Sequence, residues 1–448
     1  MSGIAGIAKT GEKKTVGAML DKIAHRGRTG RGITETANAT LGAVWPEVQK
    51  DAAHKLQQEK AAFDSGGPGR LAAAQEIEGS LSLTRDDLGV APLYYGFDPS
   101  GALCFASEVK ALIPFVRHVL ELPPGHRYEK DGLVKYFTLQ KLPTVADPPD
   151  VIANNLKGVL SSAVGACITR DDVAGSWLSG GLDSSVLAAL AKKNVRKLYT
   201  FAAGFAGAPD LEYAREVARF IGSEHREVIV DVAKLLDCLP SVIYHLESFD
   251  ALLVRSSTTN YLVAKLAADY TGEVFSGEAG DELFAGYEYL KGLDASVIAD
   301  ELIDIIGRLH NTALQRVDRS ASAHGTLAHT PFTNPDVLAY ALSIPTEYKL
   351  RGGVEKWILR EAMAGELPER VLRRTKAKFW EGAGVVDLLA QHAESAVTDG
   401  DFLRERTLPN GWVINTKEEL MYYRIFREHF ADADDLNWMG RTKGAPVQ

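Results

Sequence analysis

The chain has 448 residues, of which 46% are hydrophobic and 24% are charged. This composition is typical of a globular protein and excludes a disordered, collagen-like or low-complexity chain, while the length predicts about two or three domains. The 50 Lys and Arg residues against 59 Asp and Glu residues give a net charge of -9. This balance argues against a nucleic-acid binder that depends on general phosphate neutralisation.

The sequence has no apolar run long enough to cross a bilayer, and its first residues lack the charged start and apolar stretch of a signal peptide. We therefore expect a cytoplasmic protein without a membrane partner. The cysteines Cys104, Cys167 and Cys238 are far apart and have mostly apolar neighbours, so they fit neither a disulfide framework nor a metal site. They are predicted to be buried.

The first part of the chain mixes short apolar runs with many glycines and is predicted to be mostly β. Its clearest strands are predicted at Leu103–Ala106 and around residues 92–97. Residues 142–152, which begin with LPTVADPPD, concentrate prolines and aspartates and are predicted to be a linker. The sequence therefore predicts one domain over residues 1–141 and a second over residues 153–448.

Beyond the linker, apolar runs alternate with amphipathic stretches in the order VAGSWLS, SSVLAALAKK, KLYTFAAGF, LEYAREVARFIG and HREVIVD. This alternation predicts βαβ units that form a parallel sheet with helices on both faces, and ligands bind at the carboxyl ends of such strands. From about Leu293 onward the pattern is mostly helical. The predicted fold class is α/β and α+β: a mostly β domain, then a parallel-sheet α/β domain with a helical C-terminal half.

A glycine loop, SGGLDSS over residues 179–185, lies between a predicted strand and a predicted helix. Glycines allow the backbone to approach an anion, while serine hydroxyls and the free N–H groups at a helix start donate hydrogen bonds to it. No lysine follows the glycines, so the loop is not a Walker A motif, and it is not GxGxxG either. A small-residue turn capped by Ser184 is the alternative, but the full segment in this context favours a phosphate-binding loop.

The loop resembles the SGGxDSS motif of the ATP pyrophosphatase family, which binds the pyrophosphate of ATP. The segment SGEAGDELFAGY over residues 276–287 resembles SGEGSDE..GGY of asparagine synthetases. The resemblance continues through HRGRTGRG at His25, RDDLGVAPLYYG at Arg85, FASEVKAL at Phe105, FAAGFAGAPDLEYAREVA at Phe201, VIYHLESFD at Val242, VRSST at Val254, EKWILREAM at Glu355 and RRTKAKFWEGAG at Arg373. The chain is identified as a member of the asparagine synthetase and β-lactam synthetase family. This membership implies an ATP pyrophosphatase domain behind a degenerate, shortened glutaminase-like domain.

The resemblance implies a set of ATP-binding residues at the strand ends. They are Leu178, Ser179, Gly180, Gly181, Asp183, Ser184, Ser185, Ala203, Phe205, Ser276 and Gly277. Asp183 and Asp281 follow two different strands, so folding can bring both carboxylates beside the triphosphate as Mg²⁺ ligands. A loop or helix cap is the commoner use of an aspartate. Lys376 matches a lysine that contacts phosphate, and the alternative for it is a solvated surface position.

Glu278 matches the glutamate that lies beside the adenylate in asparagine synthetases, where a carboxylate accepts a proton from the attacking ammonia. β-Lactam synthetases have a tyrosine at the matching position, so Glu278 favours amide formation between two molecules over ring closure. The alternative is a glutamate held at a helix start. The resemblance thus implies Glu278 and Lys376 as catalytic residues, with ATP and Mg²⁺ as cofactors.

The first domain departs from the glutamine-dependent pattern. Residue 2 is Ser2 where those synthetases have a cysteine nucleophile, no segment resembles NGEIYNH or SGSD, and the chain is shorter between Ala39 and Ser80. We therefore predict that this domain does not hydrolyse glutamine. Ammonia, either free or supplied by a separate glutaminase, is the expected nitrogen donor.

A second departure lies in residues 325–334, GTLAHTPFTN, where asparagine synthetases have GVEARVPFLD. Leu327, His329 and Asn334 replace Glu, Arg and Asp, and the loss of these three charges makes another carboxylic acid the alternative to aspartate, the default substrate that the resemblance implies. His324 and His329 lack further ligands and are not expected to form a metal site. Trp380 stands where the pattern has a serine, and it either reshapes the pocket or fills it.

The predicted function is an AMP-forming amide ligase in which Mg-ATP adenylates a carboxylate and ammonia attacks the adenylate. The alternatives are a specialised amide or β-lactam-type ligase and a non-catalytic nucleotide-binding regulator. A tRNA-sulfurating enzyme is disfavoured, because the chain is acidic and lacks paired reactive cysteines. The expected partners are a small carboxylate and ammonia but no nucleic acid, and a homodimer is an expectation from the resemblance alone.

Overall fold

The computed structural model describes residues 2–49, 51–130, 132–169, 172–374, 388–433 and 435–442. The strands are β1 (Gly3–Ile7), β2 (Gly30–Glu35), β3 (Thr40–Trp45), β4 (Ala61–Ser65), β5 (Leu71–Ile77), β6 (Ser80–Arg85), β7 (Tyr94–Phe97), β8 (Leu103–Ala106), β9 (Leu120–Glu121), β10 (His126–Glu129), β11 (Gly132–Lys135), β12 (Val173–Trp177), β13 (Lys197–Phe205), β14 (Glu224–Val230), β15 (Glu273–Phe275), β16 (Leu327–His329), β17 (Leu350–Arg351) and β18 (Val354–Glu355).

The helices follow the same chain order. They are α1 (Lys13–Lys22), α2 (Asp51–Gln57), α3 (Pro149–Cys167), α4 (Leu182–Lys192), α5 (Pro209–Ile221), α6 (Val232–Leu246), α7 (Ala251–Ala268), α8 (Gly280–Leu283), α9 (Ala295–Gly307), α10 (Ala313–Ser322), α11 (Pro335–Ser343), α12 (Thr346–Lys349), α13 (Trp357–Ala362), α14 (Glu369–Leu372), α15 (Leu388–Ala396), α16 (Asp399–Glu405) and α17 (Lys417–His429). Short 3₁₀ turns lie at Ala24–Arg26, Glu47–Gln49, Val109–Ala111, Glu288–Gly292, Leu309–Asn311 and Pro331–Thr333.

The first part of the chain forms two antiparallel sheets, with strand orders β2-β3-β1-β8-β7-β9 and β11-β10-β6-β5-β4. One hydrophobic cluster contains Ile4, Leu41 and Phe105 from the first sheet and Ala74 and Leu83 from the second. The two sheets therefore share a core, as expected when each has one apolar face. The mostly β prediction is confirmed, and β8 has the predicted bounds.

The second part contains the parallel sheet, with strand order β14-β13-β12-β15-β16. Alternate residues of β13 face opposite sides: Leu198 and Ala202 pack with α3, α4 and α5, whereas Phe201 and Ala203 pack with α6 and α7. The predicted sheet with helices on both faces is confirmed, and so is the α/β and α+β fold class. The mostly helical later part also contributes β16, which pairs with β15 at the edge of this sheet.

The segment between the two parts has no helix or strand from residue 136 to residue 148. Helix α3 begins at Pro149, within the last part of the predicted linker. A proline suits the first turn of a helix, because its φ is already helical and the N–H it lacks would have no acceptor there. The domain boundaries themselves stay a prediction.

The cysteines Cys104, Cys167 and Cys238 are all buried and free, as predicted. Within the described ranges, none of the helices combines the length and the apolar character that a membrane crossing requires.

Candidate functional site

A cavity of about 750 Å³ opens at the carboxyl ends of β12, β13 and β15. The residues that follow these strands lie at one edge of the sheet, because parallel strands end on the same side. Helices α7, α9, α10 and α13 contribute further residues to the wall. The cavity therefore combines chain segments that are far apart in the sequence.

The glycine loop connects β12 to α4 on one side of this cavity. Gly180 has φ +73°, and a Cβ at this position would lie 2.5 Å from the Cβ of Tyr213, so only glycine fits the turn. Gly181 is the N-cap of α4, and its carbonyl oxygen accepts hydrogen bonds from Ser184 Oγ (3.1 Å) and Ser185 Oγ (2.7 Å). Ser184 lies in the first turn of α4, and its Oγ also accepts a 3.2 Å hydrogen bond from the N–H of Ser179, so the turn held by Ser184 and the helix start occur together.

The start of α4 presents hydrogen-bond donors to the cavity. The first N–H groups of an α-helix have no acceptor within the helix, and the helix dipole is positive at this end. Ser179, Gly181, Leu182, Asp183 and Ser184 all line the cavity. This combination of free donors and positive potential suits the phosphate groups of a nucleotide.

Asp183 and Asp281 lie on the same side of the cavity, and both pair with the buried ammonium group of Lys356. Lys356 Nζ contacts Asp183 Oδ2, and it lies 2.6 Å from Asp281 Oδ1. The approach of the two loops requires Gly280, because a Cβ there would lie 2.5 Å from Asp183 Cγ. Two neighbouring carboxylates fit the donor set that Mg²⁺ prefers when phosphate oxygens supply the remaining ligands.

Lys356 has a position that the sequence analysis did not assign. It lies between β18 and α13, it is 2% exposed, and it reaches Asp183 across 173 residues of sequence. Its segment, EKWILREAM, resembles the family, but nothing local to a single lysine shows that it points to the glycine loop. Only folding brings its ammonium group between the two carboxylates.

Glu278 follows β15 and lines the cavity. Its Oε1 accepts a hydrogen bond of 2.6 Å from the guanidinium of Arg316, which belongs to α10 and also lines the cavity. Burial disfavours the charge of Arg316, but the Glu278 carboxylate raises the pKa of the guanidinium overall. Arg316 is a second functional candidate that the sequence analysis missed.

Glu282 and Tyr287 form a buried pair beside Asp281. The Tyr287 hydroxyl donates a hydrogen bond to Glu282 Oε1, and both residues line the cavity. Burial and the neighbouring Asp281 charge raise the pKa of Glu282 to about 7. The wall next to the two aspartates therefore carries a weakly acidic carboxyl group.

The remaining predicted ATP contacts divide into two groups. Leu178, Ala203, Ser276 and Gly277 line the cavity, as do the neighbouring Trp177 and Phe201 of the strand ends. Gly180, Ser185 and Phe205 are absent from the part of the wall that the described residues form. Phe201 pairs with Trp177, the last residue of β12, and β13 continues for four more residues. Phe205 therefore lies beyond the strand ends that border the cavity.

Lys376 and Trp380 lie outside the described residues. Two positions before Lys376, Arg374 donates a hydrogen bond of 3.1 Å to the carbonyl oxygen of Gly180 and also contacts Asp210. Arg374 lines the cavity, so this part of the chain does bring a cation to the glycine loop.

The altered segment around Leu327 does not line the cavity among the described residues. Leu327 and His329 are fully buried in β16, and a Cβ at Gly66 would lie 2.7 Å from Leu327 Cδ1. Asn334 caps α11, because its Oδ1 accepts a 2.8 Å hydrogen bond from the N–H of Asp336. Leu327 thus packs against the first part of the chain, whereas His329 and Asn334 bind partners within the second part.

Of the two histidines of this region, His329 is fully buried and His324 is half-buried. His329 Nε2 lies 3.1 Å from Glu273 Oε2; burial opposes its charge, but hydrogen bonding to Cys167 and Glu273 raises its pKa to about 9. Burial lowers the pKa of His324 to about 4. In the described part of the chain, no group of three or more His, Cys, Asp or Glu residues is arranged to hold a metal ion.

Ser2 lies in the other part of the molecule and is 1% exposed. Its hydroxyl donates a 2.7 Å hydrogen bond to Gln49 Oε1, and its carbonyl oxygen accepts a 2.9 Å hydrogen bond from Arg26 Nε. The Arg26 guanidinium also binds Glu108 at 2.8 Å and Asp318 at 2.8 and 3.0 Å. Arg26, the first arginine of the HRGRTGRG segment, is therefore bound to groups of the protein itself.

Comparison with known proteins gives two family matches. Residues 155–297 and 295–444 match the family described as Asparagine synthase, and residues 70–168 match the family described as Glutamine amidotransferase domain. The first match covers more than half of the chain, including the glycine loop, Glu278 and Asp281.

Two curated relatives show the extent of the similarity. Asparagine synthetase B [glutamine-hydrolyzing] of Escherichia coli (strain K12) is 35% identical over 369 residues, covering 77% of this chain and 67% of that protein. Asparagine synthetase [glutamine-hydrolyzing] 2 of Arabidopsis thaliana is 34% identical over 380 residues, covering 78% and 65%. The chain thus spans about two thirds of the length of these relatives.

Among solved structures, NMN synthetase from Francisella tularensis matches with a TM-score of 0.29 and 15% identity, over 66% of this chain and 99% of that one.

Proposed function

Because the chain belongs to the asparagine synthase family, we propose that it is an ATP-dependent amide ligase that adenylates a carboxylate and joins it to ammonia. One observation carries the proposal: the glycine loop, the cluster of Asp183, Asp281 and Lys356, and Glu278 all border the same cavity. Each group supplies a different requirement of such a reaction. The loop binds phosphate, the cluster of Asp183, Asp281 and Lys356 binds Mg²⁺ and stabilises phosphate charge, and Glu278 accepts a proton.

The first half-reaction forms an acyl-adenylate. An oxygen of the substrate carboxylate attacks the α-phosphorus of ATP, the bond between the α-phosphorus and the bridging oxygen breaks, and pyrophosphate leaves with the electron pair. The donors at the start of α4 hold the phosphates, and Lys356 stabilises the negative charge that develops on them. Lys376 has the same proposed role of contacting phosphate.

Asp183 and Asp281 are the proposed ligands of Mg²⁺. When bound, the ion would neutralise charge on the pyrophosphate leaving group. The donor set supports this assignment, since two carboxylates and phosphate oxygens are the usual ligands of Mg²⁺ at nucleotide sites. Lys356 contacts both carboxylates and so holds them close together.

The second half-reaction forms the amide. The nitrogen of ammonia attacks the acyl carbon, and the bond to the AMP oxygen breaks with its electron pair leaving on AMP. The attacking nitrogen must lose a proton, and Glu278 is the proposed acceptor. Its position on the cavity wall, in the loop that follows β15, supports this role.

Ammonia rather than glutamine is the proposed nitrogen source. The Ser2 hydroxyl already donates its hydrogen to Gln49, and burial leaves it 1% exposed. A serine hydroxyl is a weak nucleophile unless a base removes its proton. Before it could attack glutamine, the Ser2 hydroxyl would have to exchange its hydrogen bond to Gln49 for a base and become accessible.

Aspartate is the proposed substrate. The sequence argument for another carboxylic acid relied on Leu327, His329 and Asn334, and these buried residues do not line the cavity among the described residues. No specific feature of the cavity wall formed by the described residues favours a second substrate class. The non-catalytic alternative would leave the convergence of Glu278, Asp281 and Lys356 on one cavity without a purpose.

The test is carboxylate-dependent release of AMP and pyrophosphate from Mg-ATP in the presence of ammonium. Glu278→Ala is compared with Glu288→Ala, since Glu288 is exposed and pairs with Lys291. We expect aspartate to give AMP and the amide in the wild-type chain and in Glu288→Ala, and Glu278→Ala to form little amide. Turnover with another carboxylate alone would reject aspartate, and nucleotide binding without turnover on any carboxylate would reject the ligase.

A further inference from the structure

Helix α10 lies between the cavity and a buried network of charges that joins the two parts of the chain. Arg316 faces the cavity, while Asp318 and Arg319 lie inside the network. Asp318 binds Arg26 at 2.8 and 3.0 Å and Arg70 at 2.9 Å. One short helix thus carries both a cavity residue and the main contacts between the two parts.

Arg319 strengthens the same connection. Its guanidinium lies 2.9 Å from Glu108 and 3.0 Å from Glu247, and all three side chains are at most 1% exposed. Charge-assisted hydrogen bonds of this kind have specific geometry, and breaking one leaves an uncompensated buried charge. The network therefore fixes the position of α10, and with it the position of the Arg316 backbone.

Arg316 uses this fixed position to hold Glu278. One guanidinium nitrogen lies 2.6 Å from Glu278 Oε1, and the Arg316 side chain is 14% exposed. In the described part of the chain, no residue donates a hydrogen bond to the other carboxylate oxygen, Oε2. The pair thus leaves one oxygen of Glu278 engaged and the other available.

Resting on the proposed ligase activity, we propose that Arg316 is a positioning residue: it holds Glu278 by Oε1, so that Oε2 takes the proton of the attacking ammonia. The nitrogen–carbon bond forms, one proton passes from nitrogen to Oε2, and AMP leaves with the electron pair of the broken bond. The proton is then released to water. Without Arg316, the carboxylate can rotate away from the reacting nitrogen.

This role predicts a specific defect. Adenylation does not require a proton acceptor, so it continues when Arg316 is absent. The acyl-adenylate then waits for nitrogen attack, and water hydrolyses it to the free acid and AMP. The amount of amide formed per AMP released therefore falls, whereas a general loss of folded protein would lower both products equally.

The experiment measures amide and AMP from Mg-ATP, aspartate and ammonium for the wild type, Arg316→Met and Arg316→Lys. Arg215→Met is the matched control, because Arg215 forms an exposed pair with Glu227 away from the cavity. We expect Arg316→Met to lower amide per AMP by about tenfold to 100-fold, the usual effect of misplacing a reacting group. Arg316→Lys should recover part of this loss, and Arg215→Met should match the wild type.

An unchanged ratio of amide to AMP in Arg316→Met would overturn the positioning role. So would a rise confined to the KM for aspartate, which would assign Arg316 to substrate binding. If Arg316→Met does not fold, Arg316→Gln keeps a polar group at the buried position and decides between the same results. A wild-type chain that releases no pyrophosphate with any carboxylate would overturn the proposed function and this inference together.

Discussion

The molecule contains two buried clusters in which carboxylates surround a cationic side chain, and the two clusters differ in their surroundings. The Arg26 guanidinium pairs with the carboxylates of Asp64, Glu108 and Asp318, and none of these four residues lines the cavity among the described residues. The second cluster, Asp183, Asp281 and Lys356, borders a cavity of about 750 Å³. The first cluster is closed by protein, whereas the second faces space for a ligand.

The comparison shows why a charged residue in a family-like segment is not automatically a site residue. Arg26 and Glu108 belong to segments that resemble the glutaminase-like half, yet they bind the α10 residues of the other half. Their role here is to join the two parts of the chain. Buried position and charge are shared by both clusters, and only the neighbouring cavity distinguishes function from structure.

Replacing the centre of the closed cluster should have the largest effect. Arg26→Met leaves Asp64, Glu108 and Asp318 buried with too few positive partners, so we expect the free energy of unfolding to fall by about 3–5 kcal/mol. Urea denaturation measures this change. Arg31→Met is the control, because Arg31 pairs with the exposed Asp21. A loss no larger than that of the control would show that the network contributes little to holding the two parts together.

Replacing a carboxylate of the open cluster should affect activity more than folding. Asp183→Asn removes one proposed Mg²⁺ ligand and one partner of Lys356, so carboxylate-dependent pyrophosphate release should fall about 100- to 1000-fold. The control is Asp21→Asn, which removes an exposed partner of Arg31 outside the cavity. Wild-type rates in Asp183→Asn would remove this cluster from the proposed reaction, whatever the measured stability.

A smaller effect concerns the pH dependence of the buried pair of His329 and Glu273, which lies on the neighbouring strands β16 and β15. The pKa of His329 is raised from 6.5 to about 9, so its stabilising charge is fully present below pH 6.5 and is lost as the pH rises towards 9. Glu273 and Cys167 are the groups that face it. His329→Gln should reduce the loss of unfolding free energy over this range by roughly 1–3 kcal/mol.

Denaturation curves at pH 6 and pH 9 measure the His329 effect. His54→Gln is the control, because His54 is largely exposed and pairs with Glu59 at 3.7 Å. If His329→Gln and the wild type lose the same stability between these pH values, the histidine does not carry the charge assigned to it.

The sequence predicted the parts of the fold whose signals are local. The alternation from β12 to β14 has clear periodicity, and the glycine loop lies between β12 and α4 as expected. Strand β16 has only three residues in a mostly helical region, so its pairing with β15 depends on tertiary contacts that no pattern reveals. The predicted linker extended into α3, because its prolines favour both a loop and a helix start.

Only the site residues that lie in sequence motifs could be predicted from the sequence. Asp183, Glu278 and Asp281 lie in recognisable segments, and the structure places all three on the cavity wall. Lys356 and Arg316 are isolated charges in amphipathic sequence, and they reach the site only through the packing of α13 and α10. Leu327 of the altered segment is buried in β16 and does not line the cavity among the described residues, although motif comparison places it in the substrate region.

The most direct test of the account is amide formation from Mg-ATP and aspartate, measured side by side with ammonium and with glutamine. The wild type and Ser2→Ala are compared, with glutamate release as a second readout. We predict equal amide from ammonium in both proteins, with no glutamate and no amide when glutamine is the only nitrogen source. Glutamine-dependent amide or glutamate that disappears in Ser2→Ala would contradict the account, because it would show an active nucleophile in the part of the molecule that we consider structural.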